Sequence, residues 1–104
     1  MTYIETRKYA AVSASTTTKD EYTVPNGVTL KIYELGGNGC QSNEVKVEIK
    51  FDSDVLFVTH GDSIQNPEDL EITGDGSKKL SINLVNDSSV TETIGGYYKA
   101  VDVW

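Results

Sequence analysis

The chain has 104 residues, 38% hydrophobic and 24% charged, with nine Lys plus Arg against sixteen Asp plus Glu and a formal net charge of -7. A chain of that size buries roughly two thirds of the surface its unfolded form exposes, so residues 1–104 read as a single domain that needs neither metal nor disulfide to fold. The acidic balance excludes a grip on nucleic acid through phosphate neutralisation. No apolar run reaches the roughly twenty residues of a membrane helix, and MTYIETRKYA has no apolar export region, so a soluble protein without a membrane partner is expected.

Residues Thr2 to Tyr9 alternate, with Tyr3, Glu5, Arg7 and Tyr9 on one side and Ile4, Thr6 and Lys8 on the other. That polar alternation suits an edge strand or an oligomer contact. Ala10 to Thr18, small and rich in Ser and Thr, reads either as a β segment or as a loose connection. Pro25, Asn26 and Gly27 then supply turn chemistry, after which Val28, Leu30 and Ile32 share a face. Gly36 to Cys40, GGNGC, reads as a flexible loop. It lacks the Lys and the following helix of a phosphate-binding loop.

The clearest signal is Val45 to Phe51, where Val45, Val47, Ile49 and Phe51 alternate with Lys46, Glu48 and Lys50. Only an extended strand turns a period of two into one dry and one wet surface. Asp52, Ser53 and Asp54 mark a hairpin turn into Val55, Leu56, Phe57 and Val58, an apolar run expected to be covered on both faces. Asn66, Pro67, Glu68 and Asp69 resemble the start of one short helical turn, with a cap, a proline at the first position and acids at the positive dipole end. Beyond the TGDGS turn, Leu80, Ile82 and Leu84 alternate with Ser81 and Asn83, and Gly95 and Gly96 lead into a last strand, Tyr97 to Trp104. The expectation is an all-β fold: one antiparallel sandwich of jelly-roll or Greek-key type, with seven to eight strands and at most one short helical turn.

Candidate chemistry is sparse. Cys40 is the single cysteine and His60 the single histidine, twenty positions apart, so no intrachain disulfide forms and a Cys–His nucleophile lacks a motif. The string His60, Gly61, Asp62, Ser63 holds the residue types of a hydrolytic triad, but neighbours on one turn rarely aim at a common atom. Asp52 with Asp54, or Glu68, Asp69 and Glu71, could offer oxygens to Ca²⁺, yet no calcium-loop pattern is present. No catalytic residue, metal or cofactor is therefore expected. Asn86, Asp87 and Ser88 spell a glycosylation acceptor that reads as a surface turn. The better lead is aromatic: six tyrosines and one tryptophan outnumber the two phenylalanines, and Tyr and Trp suit positions where an apolar face meets a partner.

Three stretches, YTVPNGVTLKIYEL, EITGDGSKKLSINLVNDS and IGGYYKAVDV, together resemble small β-sandwich virion proteins of tailed bacteriophages. The matching features are the Pro25 and Gly27 turn, Gly74 to Gly76 leading to Asn86, and the Gly95, Gly96, Tyr97 segment. The resemblance implies a non-enzymatic structural role in capsid decoration, neck, tail or fibre. The protein would be assembled in the host cytoplasm as a homo-oligomer docked to other virion proteins. On that reading Tyr3, Ile4, Tyr9, Tyr97, Tyr98 and Trp104 form the interface, with loops around Gly36 and Asp62 reaching partners. The rival is a carbohydrate-binding or receptor-binding module, which predicts a row of coplanar exposed aromatic rings. A third reading, a small hydrolase, requires His60 to meet Ser63 or Cys40 in a cleft.

Overall fold

The computed structural model describes residues 2–39 and 42–103. Nine strands carry the fold: β1 (Tyr3–Val12), β2 (Thr16–Thr23), β3 (Thr29–Asn38), β4 (Val45–Phe51), β5 (Asp54–Thr59), β6 (Ser63–Gln65), β7 (Glu71–Thr73), β8 (Lys79–Asn86) and β9 (Glu92–Val103). One sheet has the order β1-β9-β3-β6, with β7 also on β3, and the other the order β2-β8-β4-β5; all pairings are antiparallel. Successive strands cross repeatedly between the two sheets, which gives the strand order of a jelly roll. The ninth strand arises because the last position on the β3 edge is shared by two three-residue pieces, β6 and β7, separated by the Pro67 loop. That loop forms bends and no helical turn, so the cap-like Asn66–Pro67 pair opens a connection between two short strands. Ala10 to Thr18 resolves into the end of β1, a turn at residues 13–15 with Ser15 at φ 58°, and the start of β2.

Alternation sets the core. Val45, Val47, Ile49 and Phe51 of β4 and Leu80, Ile82 and Leu84 of β8 face Leu30, Ile32 and Leu35 of β3 and Ile94, Tyr98 and Ala100 of β9. In β3 a bulge between Ile32 and Glu34 inserts Tyr33, so Leu35 stays inside although it is three residues beyond Ile32. A second bulge, opposite Ile49 and Lys50, displaces Leu56 from the alternation of β5. This explains the unbroken apolar run Val55 to Val58, which is not covered on both faces: β5 is an edge strand, Phe57 is buried, and Val55 and Val58 are about half exposed.

Two glycine pairs fall inside strands rather than in loops. Gly36 and Gly37 belong to β3, and Gly95 and Gly96 to β9, in the register Gly36↔Tyr97, Gly37↔Gly96 and Asn38↔Gly95. Gly37 and Gly96 face inward. A Cβ on Gly96 would lie 2.6 Å from Val47 Cγ1 and 3.0 Å from Ile82 Cγ2, and one on Gly37 would lie 2.8 Å from Thr59 Cγ2. The missing side chains let Val47 of the opposite sheet sit directly on the β3 and β9 backbones.

Asn86 was expected on a surface turn; it is fully buried. Its Nδ2 donates to the carbonyls of Val12, at 2.9 Å, and Val90, at 2.8 Å, while its Oδ1 accepts from the Ser88 backbone N–H at 2.9 Å and the Ser88 hydroxyl at 2.6 Å. One side chain therefore ties the end of β8 to the end of β1 and shapes the loop into β9. The TGDGS turn is closed in a similar way by Asp75, whose Oδ1 accepts from the N–H groups of Lys78 and Ser77. Those bonds hold its carboxyl at about 2.

Gly96→Ala is expected to cost about 1–3 kcal/mol in urea unfolding, because the new methyl would press on Val47 and Ile82, both buried in the core; an unchanged midpoint would contradict tight inter-sheet packing. Asn86→Asp, which keeps the shape but removes the hydrogen bonds donated to the Val12, Ser13 and Val90 carbonyls, is expected to lower stability at pH 7 by about 2–4 kcal/mol, measured by the same titration.

Candidate functional site

Among the described residues no further strand layer covers the outer face of the β1-β9-β3-β6 sheet, and its cross-strand register divides it into three zones. At one end Tyr3 lies opposite Val101 and meets the bulged Tyr33 edge-on, with ring centroids 6.2 Å apart and planes at 84°. Tyr3 is 70% exposed and Val101 only 8%, so the tyrosines roof an otherwise apolar patch.

A band of charge follows. The Tyr97 ring lies across the bare backbone of Gly36, where a Cβ would run into it, and its hydroxyl donates to Glu34 Oε2 at 2.6 Å. Lys99 Nζ stands 3.5 Å from the same oxygen, and Arg7 lays its guanidinium over the Tyr97 ring, 4.6 Å from the centroid. Arg7 Nε also donates to Glu5 Oε1 at 2.8 Å. Partial burial, reinforced by the Glu34 carboxylate, pushes the Tyr97 hydroxyl up to about 12. The Tyr97 hydrogen bond, followed by Lys99, lowers the Glu34 carboxyl.

Beyond the band is a groove of about 300 Å³ lined by Arg7, Tyr9, Asn38, Asp62, Ser63, Ile64 and Tyr97 around the backbones of Gly37, Gly95 and Gly96. Gly95 is its floor: the Tyr9 ring and the Asn38 amide close over it from the two neighbouring strands, and a Cβ there would lie 2.7 Å from Tyr9 Cδ2 and 2.6 Å from Asn38 Oδ1. Asp62 Oδ1 accepts the Gly39 N–H at 3.1 Å, which fastens the loop before β6 to the end of β3. Ile64, opposite Gly36, forms the far wall and is 63% exposed.

Of the six interface candidates, Tyr3 and Tyr9 stand at the surface and Tyr97 is half-buried under Arg7. Tyr98 is corrected to a core residue: it points inward, is fully buried, and its hydroxyl has no hydrogen-bond partner among the described residues. Ile4 also points inward and packs against the core. Trp104 and Cys40 lie outside the described residues. The expected Gly36 loop is strand, although Asp62 does occupy a loop at the groove. Among the described residues the row of coplanar exposed rings expected of a carbohydrate platform is not formed, because Tyr3 stands edge-on to Tyr33 and the Tyr97 face is taken by Arg7.

His60 is exposed, with Nδ1 3.1 Å from the Val45 carbonyl oxygen; that acceptor requires the proton on Nδ1. Among the described residues no three His, Cys, Asp or Glu side chains converge as a metal site would require. Asn38, Arg7 and Ile64 were not singled out from sequence; the usable signal was the pair of Gly-Gly dipeptides beside Asn38 and Tyr97, which marks two bare backbones able to lie side by side. No protein-family model matches the chain, and no curated protein matches it in sequence.

Glu34→Gln is expected to bring the Tyr97 pKa down from about 12 towards 10 without reaching it, since burial is the larger cause. In the native protein the neutral phenol's contribution to stability is complete below pH 10 and is lost as the pH rises towards 12. Ultraviolet titration of phenolate absorbance, with Tyr97→Phe as the assignment control, measures the first, and urea unfolding of the native and Tyr97→Phe proteins between about pH 9 and 12 measures the second.

Proposed function

We propose that the chain is a non-enzymatic structural protein of a tailed-phage virion, located in capsid decoration, neck, tail or fibre, and that it works by homo-oligomeric assembly and docking to other virion proteins. The observation that carries this reading is the uncovered apolar patch at the Tyr3 end of the outer face. There a 70% exposed tyrosine and its edge-on partner Tyr33 cover a buried Val101 at the margin of a sheet. Tyrosines of this kind bring large, rigid contact area at low entropic cost.

The contact is made through the face rather than by adding a strand. β1 is a ten-residue edge strand, but Lys8 on β1 and Asp20 on β2 turn towards the space between the two sheets along that margin, and inward charges discourage further strands from pairing. The jelly-roll order and the three matching stretches support the virion assignment by analogy.

Light scattering across a wide concentration range is expected to give a closed oligomer of fixed mass, and Tyr3→Glu to shift it towards monomer while the circular dichroism spectrum stays native. A monomer at every concentration that is also not retained on purified capsids or tails would remove the reading.

A further inference from the structure

The geometry points to a second site: the glycine-floored groove at the other end of the outer face is a binding site for a single neutral pyranose ring, presented by Tyr9, Asn38 and Asp62. Tyr9 is six residues from Tyr3 along β1, about 20 Å away, and the site does not depend on the assembly reading.

The groove is shaped by missing side chains. With no Cβ at Gly95, the Tyr9 ring lies against the sheet while remaining 70% exposed. It thus offers one apolar face to a cleft whose lining is mainly apolar, with Asn38 and Asp62 supplying polar groups. A pyranose carries a patch of C–H groups on one face and hydroxyls around its rim, and this groove has the matching distribution. Asn38 and Asp62 stand at its rim, each planar and with two polar atoms able to meet adjacent hydroxyls. The Asp62 carboxylate is already oriented by the Gly39 N–H on one oxygen. Its other oxygen, like both ends of the Asn38 amide, makes no protein hydrogen bond among the described residues. These groups line the open cleft, where, among the described residues, no competing partner keeps them from ligand hydroxyls.

Size and charge narrow the class. About 300 Å³ is at the lower end of small-ligand sites, and an open cleft of that volume accommodates one ring rather than a chain. The single free aromatic face says the same, because Tyr97 is covered by Arg7. The only cation on the rim, Arg7, is paired with Glu5, while Asp62 has no cationic partner among the described residues. An anionic sugar would therefore meet net negative charge in a protein of net charge -7. A nucleobase could also stack on Tyr9, but its phosphates would meet the same repulsion. Shallow binding by one ring and a few hydrogen bonds corresponds to a dissociation constant of about 1–10 mM.

The test is an amide chemical-shift titration of the ¹⁵N-labelled protein with galactose, glucose and N-acetylglucosamine, each to about 100 mM, with glucuronate and glycerol as counter-probes. At least one neutral sugar is expected to give saturable shifts confined to the amides around Tyr9, Asn38, Gly39, Asp62 and Gly95. Tyr9→Ala and Asn38→Ala are each expected to weaken that response roughly tenfold, and Tyr9→Phe to preserve it. Both residues are exposed, so the substitutions leave the core intact. Tyr3→Ala is expected to leave the response unchanged, which separates this site from the assembly patch. The inference is overturned if none of the three sugars shifts those amides, if glucuronate binds and the neutral sugars do not, if glycerol reproduces the response, or if Tyr9→Ala binds like the native chain.

Discussion

Where β3 pairs with β9, three consecutive register positions hold four glycines, and both surfaces of the sheet are shaped by what is missing there. On the inner side the bare backbone receives Val47 and Ile82 from the opposite sheet, directly beneath the groove. On the outer side Gly36 receives the Tyr97 ring and Gly95 receives Tyr9 and Asn38. Glycine normally weakens a strand, because it loses more backbone freedom on folding and packs nothing. Here that cost is offset by side chains from neighbouring strands, which fill the inner space and part of the outer one.

The outer face then follows in order along the strands. Tyr97, held flat on Gly36, gives Arg7 a surface to lie on and Glu34 a donor, and the resulting band of Glu5, Arg7, Glu34 and Lys99 separates the Tyr3 patch from the glycine-floored groove. The two ends lie apart on one continuous sheet, and only the groove end adds the uncharged amide of Asn38 and the carboxylate of Asp62 to its exposed apolar side chains. A contact made at one can leave the other open, so assembly and ligand capture are compatible on the same subunit.

The strand faces were legible in the sequence wherever alternation was strict. Val45 to Phe51 behaves as its pattern implies, Leu80, Ile82 and Leu84 do face the core although Ser81 and Asn83 between them are buried as well, and the polar alternation of Thr2 to Tyr9 does mark an edge strand. Readings failed where alternation is broken by a bulge or by glycine. Leu56 leaves the pattern at a bulge and made β5 look doubly covered, and the Gly-Gly pairs looked like loops because their covering side chains lie on other strands. Tyr98 illustrates the same limit. Tyr97 and Tyr98 are adjacent and chemically identical, yet one lies under an arginine at the surface and the other in the core, and only the phase of β9 relative to β3 and β1 decides which. The groove was invisible for a related reason: Tyr9, Asn38 and Gly95 come from three strands, and their meeting is a matter of register, which a linear pattern does not encode.

The position of β9 has a consequence for how the molecule comes into being. It is the last of the nine strands in chain order but is flanked on both sides in its sheet, by β1 and by β3. β1 has no other strand partner, and β3 otherwise holds only two three-residue pieces. During synthesis the first ten-residue strand must therefore wait, unpaired, until the ninth has left the ribosome, whereas β2, β4, β5 and β8 can close their own sheet earlier. The nascent chain passes through a half-formed sandwich whose open side is the surface that will later be the core. The inward Lys8 and Asp20 sit on the two strands bordering that opening, where they would keep one incomplete chain from completing itself with a strand of another.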